Sequence, residues 1–111
     1  MVPVNKLHDV RRLATDEDTC EFFNAVLEEL PRHGLDTDDL REIIRTELSE
    51  SHCFRTRLTE KYHRGTTSDC YSVWIEDCAS YMFLKVLIAN PGSSGERLVV
   101  TSFKKDDRHD D

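Results

Sequence analysis

The chain is poor in the residues that punctuate loop-rich or fibrous proteins. It has four glycines and three prolines in 111 residues. That excludes a collagen-like repeat and a Gly/Pro-rich disordered tract. It also lacks a long apolar run. The longest such stretch, Tyr81 to Ala89, is interrupted by Lys85 and is far too short to span a bilayer. The first residues, Met1-Val2-Pro3-Val4-Asn5-Lys6, contain no apolar leader core. The expected location is the cytoplasm, with no membrane partner. There is no CxxC pair, no Gly-rich phosphate loop and no dinucleotide fingerprint, so no cofactor is expected.

What is present fits one soluble domain. Apolar residues make up 38% of the chain and charged residues 33%, enough for one core under a polar surface. The domain is expected to span residues 1–105, followed by a charged, flexible tail, 106–111. Cys20, Cys53, Cys70 and Cys78 are irregularly spaced. In a cytoplasmic chain they read as free thiols acting as small core hydrophobes.

Charge is unevenly distributed beneath the net of −7. Residues 1–53 carry 6 basic and 13 acidic side chains, while residues 54–105 carry 8 basic and 5 acidic ones. The second half is therefore locally basic, and local charge is what a polyanion meets. Composition alone favours ordinary solvated surface charges over a binding face.

Hydrophobic periodicity divides the chain the same way. Leu7, Val10 and Leu13 have helical spacing. Thr15 to Asp18 resembles a capped helix start, with Phe22, Phe23, Val26, Leu27 and Leu30 continuing a 3.6-residue period up to Pro31 and Gly34. Asp36 is the expected cap of a further helix. Leu40, Ile43, Ile44 and Leu48 form its stripe, and Leu35 and Leu40 are spaced for a staple across the cap. After Leu48 the period changes to two. Strands are expected at Phe54–Leu58, Cys70–Glu76, Ser80–Ala89 and Arg97–Lys104, with a turn at Asn90–Gly95. Trp74 is expected in the core. Helices followed by strands imply an α+β fold, with helices on one face of a mainly antiparallel sheet.

Two stretches carry a family resemblance. The first runs from Gly34-Leu35-Asp36-Thr37-Asp38 through Ile43-Ile44 to Leu48-Ser49-Glu50-Ser51 and Cys53-Phe54-Arg55. The second comprises Asp69-Cys70-Tyr71, Phe83-Leu84-Lys85-Val86 and Val99-Val100-Thr101-Ser102-Phe103-Lys104. Together, over roughly residues 34–105, they resemble the MqsR family of type II toxins. The resemblance implies a RelE-like fold, metal-independent cleavage of mRNA with arrest of translation, and neutralisation by a cognate antitoxin. The mRNA partner would be free or ribosome-associated. The family's site of two lysines, a glutamine and a tyrosine falls here on Arg55, Lys104, Ser68 and Phe83. Both cations are kept and both neutral polar groups are changed.

Metal-free RNA cleavage needs cations on the phosphate and a proton donor or acceptor beside it. Arg55 and Lys104 are the candidate phosphate ligands. Tyr81 shares a strand face with Phe83 and Lys85 and carries a hydroxyl. His63, between Lys61 and Arg64, is a second candidate acid or base. Ser68, Tyr71, Phe83 and Lys85 are candidate RNA contacts, although Phe83 is equally readable as core. His52, Cys53, His63 and Cys70 match no zinc module, so no metal is expected. A non-catalytic module that binds antitoxin or RNA is the alternative reading.

Overall fold

The computed structural model describes residues 1–109 of the chain. Three helices, α1 (Leu7–Ala14), α2 (Asn24–Glu29) and α3 (Thr37–Thr46), cover one face of a five-stranded sheet. The strands are β1 (Cys20–Phe22), β2 (Cys53–Leu58), β3 (Thr67–Ile75), β4 (Ser80–Ala89) and β5 (Arg97–Lys105). Their order across the sheet is β1-β5-β4-β3-β2. Strands β2 to β5 form an antiparallel meander, and β1 lies parallel against β5. The fold is α+β, as the sequence suggests. Among the described residues, no helix is long and apolar enough to cross a membrane.

Helix α3 forms where the sequence places it. The Asp36 carboxylate accepts from the Asp39 N–H at 2.9 Å, and the Asp39 carboxylate accepts from the Asp36 N–H at 2.9 Å. This reciprocal pair satisfies two of the helix's unpaired donors. Leu35 and Leu40 are both buried at that end. Leu40, Ile43, Ile44 and Leu48 join Val10, Leu13 and Val26 over Tyr71, Val73, Leu84, Val86, Leu98 and Val100 of the sheet. The cysteines are free, with Cys20, Cys53 and Cys70 buried and Cys78 half-buried. Desolvation pushes the Cys20 thiol up to about 12, so it remains a neutral core group.

The single long helix expected after Thr15 does not form. Asp16 instead caps a short 3-10 turn, Glu17–Thr19, by accepting from the Asp18 N–H. Cys20–Phe22 then leaves helical geometry to pair with Leu98–Val100. The outer edge of β5 offers ladder hydrogen bonds that a helix there would leave unmet, so tertiary pairing overrides the local pattern. Only Asn24–Glu29 remains α-helical, and Leu27 is exposed. Trp74, expected in the core, is also exposed, at 47%. It belongs to the outward set of β3, and its indole N–H donates to Glu76.

The N-terminal segment is secured from below the sheet. The buried Asp69 carboxylate accepts from the backbone N–H groups of Val4 and Asn5, at 3.0 and 2.8 Å, and from the Asn5 amide at 2.8 Å. Replacing Asp69 with Ala strands those donors, so Asp69→Ala is expected to cost about 2–3 kcal/mol. Urea unfolding measures this cost, and an unchanged midpoint would contradict the assigned role.

Candidate functional site

Two β-bulges decide what the uncovered face of the sheet presents. On β2, Cys53 pairs with Tyr71 but Arg55 pairs with Cys70, so Phe54 is an extra residue. Cys53 points into the core. Strict alternation would send Arg55 and Arg57 inward after it. The bulge reverses the parity and turns both arginines onto the open face beside Phe54. On β5 the extra residue is Thr101, between the Lys85–Ser102 and Val86–Val100 pairs. It keeps Phe103 and Val100 inward while Ser102 and Lys104 face outward.

The open face therefore carries two connected rows. Across one, Arg55, Cys70, Lys85 and Ser102 are in register on β2, β3, β4 and β5. Across the next lie Ser72, Phe83 and Lys104. The Phe54 ring reaches over the small Ser72 to meet Phe83 edge-on, with centroids 5.9 Å apart. Cations flank this aromatic pair. The Arg55 guanidinium carbon is 5.4 Å from the Phe54 centroid, and Lys104 Nζ is 5.5 Å from that of Phe83. Each such contact is worth about 0.5–1 kcal/mol at an exposed site and also fixes where a long side chain points. Arg55 and Lys104 thus share one surface, but they stand on either side of the aromatic pair and do not meet at one point.

The third cation was missed by reading the sequence. Arg108 lies in the segment expected to fray as a flexible tail, yet its guanidinium carbon stacks 3.4 Å from the Phe54 centroid. It is held there by Asp106, which is 3% exposed and accepts from Arg108 Nε, Nη2 and backbone N–H. The Asp106 N–H donates to the Tyr81 carbonyl at 2.9 Å, extending the sheet edge by one bond. Asp106 is therefore packed and Arg108 is anchored to it, because a carboxylate buried away from water must find its donors within the protein. The remainder of the expected tail, residues 110–111, lies outside the described residues. An Asp-x-Arg pair in an acidic terminus was the available signal.

The other expected residues divide. Lys85 and Phe83 lie on the open face, as does Tyr81, which is 41% exposed and packs edge-on against Trp74 with centroids 5.3 Å apart. Ser68 also faces that side but is buried, its hydroxyl 2.8 Å from that of Thr59. Two residues are elsewhere. Tyr71 is fully buried on the helix side, where desolvation drives its phenol pKa strongly upward, so it is a core residue and not an RNA contact. His63, at φ 63°, turns toward the β1 edge, with Nε2 4.0 Å from the Glu21 carboxylate. It lines a separate hollow with Glu21 and Phe22, away from Arg55 and Lys104. The tight loop 59–66 aims it there, so its role as proton-transfer partner to those cations is not supported by position.

Neither the protein-family models searched nor the curated proteins contain a match to this chain. The site's own geometry is a half-exposed sheet face with cations around two touching aromatic rings, and acids mainly on the helical half.

Burial pushes the Asp106 carboxyl up, but its bonds from Arg108 and Ser72 outweigh burial and hold it at about 2, against an ordinary value near 3.8. A depressed carboxyl stabilises the fold fully above its unfolded value and loses that contribution as pH falls through the folded one. Asp106→Asn is therefore expected to melt below the parent at pH 6. The gap should narrow between about pH 4 and pH 2 and close at the acid end. A gap independent of pH across that range would exclude the charge-assisted contact. Because Arg108 is half-exposed, the expected contribution is only about 1–2 kcal/mol.

Proposed function

We propose that this protein is a toxin of the MqsR type with a RelE-like arrangement, a metal-independent endoribonuclease that cuts mRNA and is restrained by a cognate antitoxin. The observation that carries the reading is the cluster of Arg55, Arg108 and Lys104 around the Phe54–Phe83 pair on the sheet face that the helices leave open. A single strand of RNA presents regularly spaced phosphates and unstacked bases. Cations with interleaved aromatic rings match both features.

In this reading Arg55 and Lys104 hold phosphates on either side of a base that stacks on Phe83. Arg presents a two-pronged donor to the phosphate and Lys a point charge. The substrate's 2′-hydroxyl is the nucleophile. It gives its proton to solvent water as its oxygen bonds to the adjacent phosphorus, the bond from phosphorus to the 5′-oxygen breaks, and a 2′,3′-cyclic phosphate remains. Fixed cations favour the extra negative charge on the pentacoordinate phosphorus over the ground state. Tyr81, on the same face as Phe83, supplies the hydroxyl that protonates the leaving oxygen.

The test is cleavage of mRNA by the purified chain with EDTA present. Lys104→Ala and Arg55→Ala are each expected to slow cleavage about 10²–10³-fold and to relieve growth arrest without unfolding the protein. Tyr81→Phe is expected to slow it about 10²–10⁴-fold. If both cation variants cut RNA at the parental rate, the assignment is wrong. The displacement of His63 and Tyr71 from this face favours a second reading, a module that binds antitoxin or RNA without cutting. RNA retained intact by the parent protein would select that reading.

A further inference from the structure

The open face does not end at Lys104 and Arg55. Loop 59–66 between β2 and β3 folds back over it. The loop is closed by the Thr59 N–H donating to the Thr66 carbonyl at 3.0 Å, with the Thr66 hydroxyl donating to that of Thr59 at 3.0 Å. Inside the loop, Tyr62 meets Phe23 edge-on, with centroids 5.8 Å apart, across the small cluster of Leu87, Ala89 and Val99. Between loop and sheet lies a hollow of about 300 Å³. That is at the lower end of the size range of small-molecule sites.

The chemistry of its walls is specific. Arg57 and Lys85 bring positive charge from β2 and β4, the loop adds the cation Lys61 and the carboxylate Glu60, and Ser68, Ser102 and Thr59 bring hydroxyls. One end is formed by Tyr62, whose ring stands perpendicular to that of Phe23 while 73% of the residue remains exposed. A site with three cations against one carboxylate, several hydroxyls and one largely exposed aromatic ring suits a ligand with an anionic group, a sugar and a planar ring. Lys85 also belongs to the same row as Arg55, one dipeptide step from the row of Lys104. At about 3.4 Å per residue that step is about 7 Å along the strands. The hollow and the cationic face are therefore continuous.

We propose that this hollow is a nucleotide subsite, which seats the phosphate of one ribonucleotide on Arg57 and Lys85 and stacks its base on Tyr62. This rests on the ribonuclease reading for its biological meaning, but its binding chemistry does not depend on cleavage. The occupant is the nucleotide flanking the one held at Phe83, so the subsite selects which base may stand beside the cut.

The experiment measures binding of the four ribonucleoside 5′-monophosphates, inorganic phosphate and the free nucleosides to the full chain, by calorimetry or amide chemical shifts. At least one monophosphate is expected to bind tenfold or more tightly than phosphate or its nucleoside. Arg57→Gln and Lys85→Gln are each expected to weaken it about tenfold. Tyr62→Ala should weaken the nucleotide but leave phosphate unchanged, and Arg45→Gln on the opposite, helical side should change neither. Equal binding of phosphate and nucleotide, no binding by the parent chain, or equal losses in Arg45→Gln and Arg57→Gln would overturn the subsite. Nucleotide binding with RNA left uncut keeps the subsite and removes the ribonuclease. RNA cut at unchanged positions by Tyr62→Ala and Arg57→Gln, with no nucleotide bound, does the reverse.

Discussion

One extra residue in β2 governs the character of the exposed sheet face. Because Phe54 is unpaired in the ladder, Cys53 stays in the core while Arg55 and Arg57 turn outward. With regular pairing, two guanidinium groups would face the helices. Desolvating them there would cost several kcal/mol each without partners. The bulge avoids that cost and places an aromatic ring beside the first arginine. The second bulge, at Thr101, performs the matching task on β5 by keeping Val100 and Phe103 inward and releasing Lys104. The positive face is thus a consequence of strand irregularity. Its residues could not share one surface in an ideally paired sheet.

The net charge of −7 conceals this arrangement. Acids cap helices and lie along their outer surfaces, where Asp36 and Asp39 satisfy backbone donors at the start of α3. Others pair with neighbouring arginines, as in Glu42 with Arg45 and Asp9 with Arg12. Among acids near the open face, Asp106 is committed to orienting Arg108. Its carboxylate consumes part of the cation's hydrogen-bonding capacity but fixes the guanidinium plane on Phe54. A pre-positioned cation loses less side-chain entropy on meeting a phosphate than a free one.

The same face divides into an open part and a roofed part. Around Phe54 and Phe83 the sheet is uncovered and suited to an extended chain. Beneath loop 59–66 it becomes a hollow with buried hydroxyls and cations at its wall. In the proposed reading, an extended polyanion would gain affinity from the first part and discrimination from the second. Phosphate contacts position a strand, whereas a confined aromatic platform senses which base is present.

Much of the architecture was legible in the sequence. The stripe of α3 and its Asp36 cap, the four long strands, the Asn90–Gly95 turn and the mainly antiparallel sheet all follow from local periodicity and turn chemistry. Arg55 and Lys104 were marked by the family resemblance and not by period, and Phe83 read equally as a core residue. Tertiary structure decided the rest. Pairing with β5 converted Cys20–Phe22 from helix to strand, since its backbone donors and acceptors find a ladder there. Burial removed Tyr71 from the candidate contacts, and a positive-φ loop turned His63 toward Glu21. The Asp106 carboxylate brought Arg108 onto Phe54, out of a segment whose charge alone argued for solvent. Period and composition set which face a side chain prefers. Only the folded chain determines which distant groups lie beside it, because those contacts depend on register and bulges that no local window contains.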